Sequence, residues 1–292
     1  MSQAQAAERA DMRQAPRGQQ ASTPDAPHAE WTSMRAALHA EWTKLRTLAS
    51  TGWLLLAAVA LTVAVSAAAA AAVTCPAAPA CQVDTTKLSL TGIQLGQAVV
   101  AILAVLAISN EYSTGMIRVT FTAMPRRPAV LAAKAAILTG LVLAAGIIAV
   151  LGSVLAGRLI LPGNGLTAAH GYPPLSLGDG PTLRAAAGSV LYLALIALLS
   201  LGTATVVRDS AAAIGVVLGL LYLFPIVAHV VTDPHWHRHL QQIAPMSAGL
   251  AIQDTTGLRS LPISPWAGLG VLAAWAAAAL LAGGLLLRLR DA

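Results

Sequence analysis

The amino-acid sequence predicts an all-α, polytopic membrane protein with six transmembrane helices, preceded by an amphipathic helix at the membrane interface. The chain has 292 residues, of which 57% are hydrophobic, whereas roughly half of a soluble domain is apolar. Only 10% of the residues are charged, and the mean hydropathy is +0.70. Several apolar runs reach the length of about 20 residues that a helix needs to cross a bilayer.

The residues before the first apolar run divide into two segments. Residues 1–29 are polar, rich in Ala, Gln, Pro and Arg, and show no periodicity. We therefore expect a disordered cytoplasmic tail without a secretory signal peptide. Residues 30–49 place apolar side chains three and four positions apart, which predicts one face of a helix.

The narrow apolar face of residues 30–49 carries two tryptophans beside basic residues, which is typical of a helix in the lipid headgroup layer. A soluble helix packed on a cytoplasmic domain is the alternative, but the sequence shows no such domain. The residues that define this interfacial helix are Trp31, Leu38, Trp42 and Leu45 on the apolar face, with Glu41, Lys44 and Arg46 mainly off it.

Six apolar runs form the predicted transmembrane domain, residues 50–292. Their approximate bounds are 51–73, 88–109, 131–157, 185–207, 211–231 and 266–287. Lys134 and Arg158 lie near the two ends of the third run, where we expect their long side chains to reach the interface. His229 is the only ionisable residue well inside a run. Because ion-coupled carriers usually hold charged residues at mid-membrane, this pattern disfavours that class.

The distribution of basic residues predicts which side of the membrane each loop faces. With both termini in the cytoplasm, thirteen of the 18 Lys and Arg residues lie on the cytoplasmic side. The positive-inside rule predicts this asymmetry. The net charge of +6 therefore indicates topology, and we expect no nucleic-acid partner.

Two outer loops have distinctive compositions. The first contains Cys75 and Cys81, for which a disulfide on an oxidising face and two reduced thiols both remain open. Residues 232–265 are partly apolar, and we expect short broken helices there that return into the outer leaflet beneath a cover of protein.

Two GxxxG patterns lie within the apolar runs, one formed by Gly92 and Gly96 and the other by Gly215 and Gly219. Such pairs allow helix backbones to approach closely in lipid. They therefore mark either a dimer face or internal helix packing. Glycine is abundant in this chain, and the pattern alone does not choose between the two.

Signatures of catalysis and metal binding are weak. The stretch HWHRH places His235, His237 and His239 at alternate positions, which would share one face of a strand but spread over too wide an arc of a helix. We therefore expect a polar interfacial segment rather than a metal site. The sequence contains no HExxH, GxSxG or GxxxxGK[ST] pattern. We expect no enzyme and no cofactor in this chain, so any ATP-driven work needs another subunit.

The polar segment 110–127, NEYSTGMIRVTFTAMPRR, interrupts the apolar pattern between the second and third runs. It predicts a short helix capped by Ser113 or Thr114 and ended by Pro125. The helix would expose a small apolar surface made of Met116, Ile117 and Phe121. This surface is flanked by Arg118, Arg126 and Arg127. A docking site for a partner and a solvated loop that only enforces topology both remain open.

Two stretches, HAEWTKLRTLASTGWLLLAAVAL and GIQLGQAVVAILAVLAISNEYSTGMIRVTFTAMPRRPAVLAAK, resemble the type-2 ABC transporter permeases (ABC-2 family), particularly the short permeases of high-GC Gram-positive bacteria. The resemblance covers about the first 140 residues. The matching positions are Glu41, Trp42, Lys44, Leu45 and Arg46, then Glu111, Tyr112, Gly115, Ile117, Arg118, Pro125, Arg126, Arg127 and Lys134. Met116 stands where threonine is common.

The resemblance implies an exporter subunit in the bacterial plasma membrane, with N- and C-termini in the cytoplasm. Such permeases act in pairs surrounded by membrane lipids, and each docks a cytoplasmic ATPase that binds ATP and Mg. We expect a homodimer here, and pairing with a related chain remains open. Residues 110–127 would be the coupling helix, and residues 30–48 the connecting helix that moves with it. The cargo would be amphipathic or lipid-like.

Other functions remain as alternatives to an exporter. The main one is a non-transporting membrane interaction or immunity protein of the same fold. A membrane enzyme or metal-handling protein that uses the histidines, and a secondary carrier, are less favoured. Under the exporter hypothesis, Glu111→Lys or Gly115→Pro should abolish coupling without affecting membrane insertion, because the segment lies outside the bilayer.

Overall fold

The computed structural model describes residues 39, 42–43, 49–75, 83–114, 127–172, 174–230 and 233–289. All of them belong to the unit Ala37–Ala292, and the predicted tail 1–29 lies outside them. Within the predicted interfacial segment, His39, Trp42 and Thr43 have helical backbone and Trp42 is exposed. The other residues named for that helix lie outside the described ones: Trp31, Leu38, Glu41, Lys44, Leu45 and Arg46.

Every regular element in the described part of the chain is a helix. The α-helices are α1 (Ala49–Ala72), α2 (Thr85–Ser89), α3 (Ile93–Ser113), α4 (Arg127–Ile160), α5 (Gly180–Val207), α6 (Ser210–Val230), α7 (Pro234–Ile243), α8 (Pro245–Leu250) and α9 (Pro265–Leu289). Short 3₁₀ helices cover Leu161–Asn164, Ala168–His170, Ala251–Gln253 and Leu258–Ser260.

Six of the described helices are long and apolar enough to cross a membrane: α1, α3, α4, α5, α6 and α9. We call them the spanning helices, and they confirm the six predicted runs. The second run, predicted from residue 88, begins later in the structure. Asp84 caps the separate helix α2 by accepting a hydrogen bond from the Lys87 N–H at 3.0 Å. A turn then follows, and α3 begins at Ile93.

The bundle has two ends, because successive spanning helices run in opposite directions. The Lys134 end holds the C-termini of α3, α5 and α9 together with the N-termini of α1, α4 and α6. The Asp84 end holds the opposite termini, helix α2 and the long connection between α6 and α9. If the prediction of orientation is correct, the Lys134 end is cytoplasmic.

Helix α5 forms the centre of the bundle and packs against α3, α4, α6 and α9. In the most apolar 18-residue stretch of α5, 67% of the residues are buried, compared with 22% in the corresponding stretch of each of α1, α6 and α9. Those peripheral helices turn large apolar side chains outward, including Trp53, Val230 and Leu281. Exposed apolar surface of this extent marks a membrane interaction site, which agrees with the six predicted spans.

The connection between α6 and α9 is built from short broken helices, as the sequence predicted. Helix α7 remains largely exposed, whereas α8 is buried and packs against α5, α6 and α9. Gly268 of α9 allows this approach, since a Cβ atom there would overlap the carbonyl oxygen of Ala248. Backbone that leaves the regular helix is thus covered by protein, as a bilayer requires.

Candidate functional site at the Lys134 end

The polar segment that the sequence singled out lies at the Lys134 end, between α3 and α4. Helix α3 ends at Ser113, with Thr114 as its C-cap, and α4 begins at Arg127. Residues 115–126 lie outside the described residues. The proposed docking contacts Gly115, Met116, Ile117, Arg118, Phe121, Pro125 and Arg126 all fall in that range.

Glu111 and Lys134 form a buried ion pair at the base of this segment. The Lys134 Nζ atom lies 3.1 Å from Glu111 Oε1, and the two side chains are 2% and 7% exposed. The pair forms because α3 and α4 are consecutive, antiparallel helices, so the end of α3 faces the start of α4. The expectation that Lys134 extends to the interface is therefore wrong. Its amine is neutralised inside the protein, where burying an unpaired charge would be costly.

The buried position of Glu111 also bears on the expectation that Glu111→Lys would abolish coupling without another effect. Glu111 is 5% exposed and contacts its own chain, so it does not present a docking surface. Glu111→Lys would place two amines where an ion pair now lies. We therefore expect that change to destabilise the fold itself, and it is a poor test of coupling.

Tyr112 makes a second contact at the same end, beside the buried pair. The guanidinium carbon of Arg208, the C-cap residue of α5, lies 5.5 Å from the centroid of the Tyr112 ring, which is a cation–π geometry. Arg208 has φ of 63°, a left-handed conformation that is uncommon for residues other than glycine. Glu111 and Tyr112 thus connect the end of α3 to both α4 and α5.

An apolar groove opens at this end between α4 and α9. It has a volume of about 430 Å³ and is lined by Leu131, Ala132, Ala135, Leu280, Leu281, Gly284, Leu285 and Arg288. A second groove of about 530 Å³ lies between α5, α6 and α9, with Trp275 and Phe224 in its lining. Both are suited to apolar chains rather than to polar solutes.

The bundle interior contains a polar cluster whose role the sequence did not indicate. The Tyr192 hydroxyl donates to Gln97 Oε1. The Gln97 amide in turn donates to the Gln94 carbonyl at 3.1 Å and lies 3.2 Å from Met246 Sδ. Tyr192 and Gln97 are fully buried. Because their polar groups are bonded within the protein, the cluster joins α3, α5 and α8 rather than presenting a polar site.

A network of charged and hydroxyl groups surrounds Asp84 at the other end of the bundle. The Asp84 carboxylate accepts hydrogen bonds from the N–H and hydroxyl of Thr255, at 2.6 and 2.8 Å, and from the Thr256 N–H at 3.0 Å. Burial opposes ionisation of this carboxyl, but the backbone bond from Lys87 and those from Thr255 and Thr256 outweigh it. Together they hold the pKa of Asp84 below its ordinary value.

Two further contacts extend this network to α2 and α5. Lys87 Nζ pairs with Asp254 Oδ1 at 2.7 Å, and the Arg184 guanidinium donates to the Asp254 carbonyl at 2.5 Å. A neighbouring cavity of about 820 Å³ includes Thr86, Thr182 and Thr255 in a lining of mixed polar and apolar side chains. Sequence reasoning missed these contacts, because their partners are far apart in the chain.

The cysteine and glycine predictions have different outcomes. Cys75 is buried and disulfide-bonded, whereas Cys81, the only other cysteine in the chain, lies outside the described residues.

A Cβ atom at Gly92 or Gly96 would overlap Thr62 of α1, so these two glycines serve internal helix packing. Gly215 and Gly219 have nothing within 4 Å of an added Cβ, and their role in a dimer remains a prediction.

The three neighbouring histidines lie on helix α7, so they do not share one face, as expected for a helix. His237 Nδ1 is 2.8 Å from the Ala228 carbonyl oxygen of α6. His235 and His239 lie on the exposed face with their ring centroids 4.5 Å apart. The described part of the chain contains no group of three or more His, Cys, Asp or Glu side chains that could hold a metal ion.

No protein-family model matches this chain, and no curated protein matches it either.

Proposed function

We propose that this chain is the membrane subunit of an ATP-binding-cassette exporter of the ABC-2 family, docking a separate cytoplasmic ATPase through residues 110–127. The observation that carries the proposal is the buried Glu111–Lys134 pair at the base of that segment. The segment that resembles a coupling helix begins and ends on two spanning helices that are joined at this point.

This arrangement suits a segment that transmits force. Helices α3 and α4 pack little against each other elsewhere, and α1 and α5 lie against both. The ion pair therefore restrains the two ends of the segment relative to each other. Movement of a docked partner would then shift α3 and α4 together, and the Tyr112–Arg208 contact would extend that shift to the central helix α5.

The apolar grooves support an amphipathic or lipid-like cargo. Both grooves are lined mainly by apolar side chains, and the described spanning segments carry few charged residues. An apolar chain loses few hydrogen bonds on entering such a groove, whereas a polar solute would lose the hydrogen bonds that it makes to water. The sequence contains no phosphate loop, so ATP and Mg would bind to the partner ATPase. A second copy of this chain would complete the pathway.

The test is purification of the full-length protein from its native membranes in mild detergent. We expect an ATPase with a phosphate loop to co-purify in a 1:1 ratio, and its hydrolysis to be higher with the membrane subunit than alone. Arg118→Glu should abolish both association and stimulation, because it reverses a charge on the proposed docking segment. The matched control is Arg259→Glu, a charge reversal at an exposed residue of the Asp84 end, which should change neither.

Two results would contradict the proposal. If no such ATPase co-purifies, the alternative of a non-transporting membrane protein is favoured. If an ATPase binds and responds equally in the Arg118→Glu and Arg259→Glu variants, residues 110–127 are not its docking site.

A further inference from the structure

We propose that His235 and His239 form a binding site for one divalent transition-metal ion, of the zinc, copper or nickel class, on the exposed face of α7. The three histidines of this stretch do not converge, but these two lie four residues apart on one helix and their rings are in contact. Pairs of histidines at this spacing on a helix bind zinc in proteins. The site is at the Asp84 end and does not depend on the proposed exporter function.

The ring geometry is close to that of two imidazoles on one ion. The ring centroids are 4.5 Å apart with an interplanar angle of 60°. With metal–nitrogen bonds of about 2 Å, two rings that bind one ion have centroids roughly 5 Å apart. Both side chains are exposed, so a small rotation about their side-chain bonds can direct one nitrogen of each ring to the same ion.

The helix that carries the pair is held in place by other residues. Asp233 Oδ1 caps α7 by accepting hydrogen bonds from the N–H groups of His235 and Trp236, at 2.8 and 3.3 Å. His237 contacts the Ala228 carbonyl oxygen through Nδ1, and its Nε2 lies 2.9 Å from the Gln241 amide nitrogen. His237 therefore anchors the helix, and the two outer histidines are available as ligands on a fixed backbone.

The ligand set determines the class of metal. Imidazole nitrogen suits zinc, copper and nickel, whereas calcium and magnesium prefer oxygen ligands. Two protein ligands leave coordination positions for water or for a ligand from outside the chain. Arg238 is exposed on the same helix, and its charge opposes cation binding. We therefore expect an open, exchangeable site rather than a closed structural one.

The first measurement is competition for Zn²⁺ between the purified full-length protein and a chromophoric chelator. We expect His235→Gln and His239→Gln each to weaken Zn²⁺ binding at this site at least tenfold. His170→Gln is the control, because His170 contacts the Gly165 carbonyl oxygen in another loop, and it should bind Zn²⁺ as the unchanged protein does. Equal binding by the unchanged protein and both α7 variants would overturn the proposal.

A second measurement distinguishes a two-histidine site from scattered binding by the seven histidines of the chain. With one equivalent of Cu²⁺, the electron paramagnetic resonance spectrum should show coupling to two imidazole nitrogens. The double variant His239→Gln, Gln242→His keeps the number of histidines but places the pair seven residues, or roughly 10 Å, apart along the helix. The two-nitrogen spectrum should disappear in this variant, and its persistence would contradict the proposal.

Discussion

Glu111 and Lys134 illustrate how the environment of a charged residue determines its energetic effect. Transfer of either charge from water into the protein costs several kcal/mol, and mutual attraction compensates only when both partners are present. Their side chains are 7% and 2% exposed, so water screens the pair little. By contrast, Lys87 pairs with Asp254 while its own side chain remains 47% exposed. An exposed pair of this kind contributes at most about 1 kcal/mol.

Removal of one partner of the buried pair should therefore destabilise the protein strongly. We expect Glu111→Gln and Lys134→Met each to lower the free energy of unfolding by about 3–5 kcal/mol, because each removes the opposite charge that lies 3.1 Å from the remaining buried one. The double variant should recover much of that loss. Unfolding in detergent, followed by circular dichroism as a double-mutant cycle, measures the coupling. Lys87→Met is the control and should have an effect below about 1 kcal/mol; similar losses for Lys87→Met and Lys134→Met would refute this account.

Asp84 should make the stability of the Asp84 end depend on pH. Its pKa in the folded protein is lowered from the ordinary value of 3.8 by hydrogen bonds to the carboxylate. A lowered pKa stabilises the fold fully above pH 3.8, and this contribution is lost as the pH falls through the folded pKa. We expect the unfolding temperatures of the wild-type protein and Asp84→Asn to differ most at pH 5–7 and to converge below about pH 4. A difference that is constant from pH 7 to pH 3 would exclude this role.

At the scale of secondary-structure elements, close packing of helices depends on glycine at specific contacts. Gly268 lies where α9 passes α8, and Gly92 lies where α3 meets α1. In both places the neighbouring atom is a backbone carbonyl oxygen, which cannot move away as the end of a side chain can. These contacts fix the distance between helices, whereas Gly215 and Gly270 lie in open space.

Helix α9 offers a matched pair of substitutions that tests this packing. Gly268→Ala should lower the free energy of unfolding by about 1–3 kcal/mol, because the added methyl group overlaps the Ala248 carbonyl oxygen and forces α8 and α9 apart. Gly270→Ala, two residues along the same helix, adds the same methyl group in open space and should leave stability unchanged or slightly higher. Denaturation of both variants in the same detergent measures the difference, and equal effects would show that the α8–α9 contact is not tight.

At the scale of the whole molecule, the arrangement of helices gives two ends that contain different polar groups. The Lys134 end contains the buried Glu111–Lys134 ion pair, while the Asp84 end contains the Asp84 carboxylate network and the cavity beside it. If the orientation predicted from the sequence is correct, with thirteen of the 18 Lys and Arg residues on the cytoplasmic side, the Lys134 end faces the cytoplasm.

Labelling of single introduced cysteines tests this orientation in intact cells. Ser260 and Arg288 are both exposed, at the Asp84 end and the Lys134 end respectively. We expect a membrane-impermeant maleimide to label Ser260→Cys in intact cells and Arg288→Cys only after the cells are permeabilised. Without reductant the native Cys75 should not react, because it is buried and disulfide-bonded. The unmodified protein provides the background, and the reverse labelling pattern would invert the topology.

The sequence by itself determined the number and approximate bounds of the spanning helices. Apolar length is a local property that each run carries independently of its neighbours, and all six runs correspond to helices in the structure. The separation of α2 from α3 was missed, because Asp84 caps α2 while it also binds Thr255, 171 positions away. Likewise, the sequence left strand and helix both open for HWHRH, and the contact between His235 and His239 was not foreseen.

Only the tertiary structure decided which polar groups meet. Lys134 carries the same charge whether it extends to the interface or turns inward, and the choice depends on Glu111, 23 positions earlier on another helix. Helix packing likewise assigned Gly92 and Gly96 to contacts within the chain and left Gly215 and Gly219 in open space. The physical reason is that the bilayer selects apolar length from local sequence, whereas buried charges and close contacts are satisfied only by partners that the fold brings together.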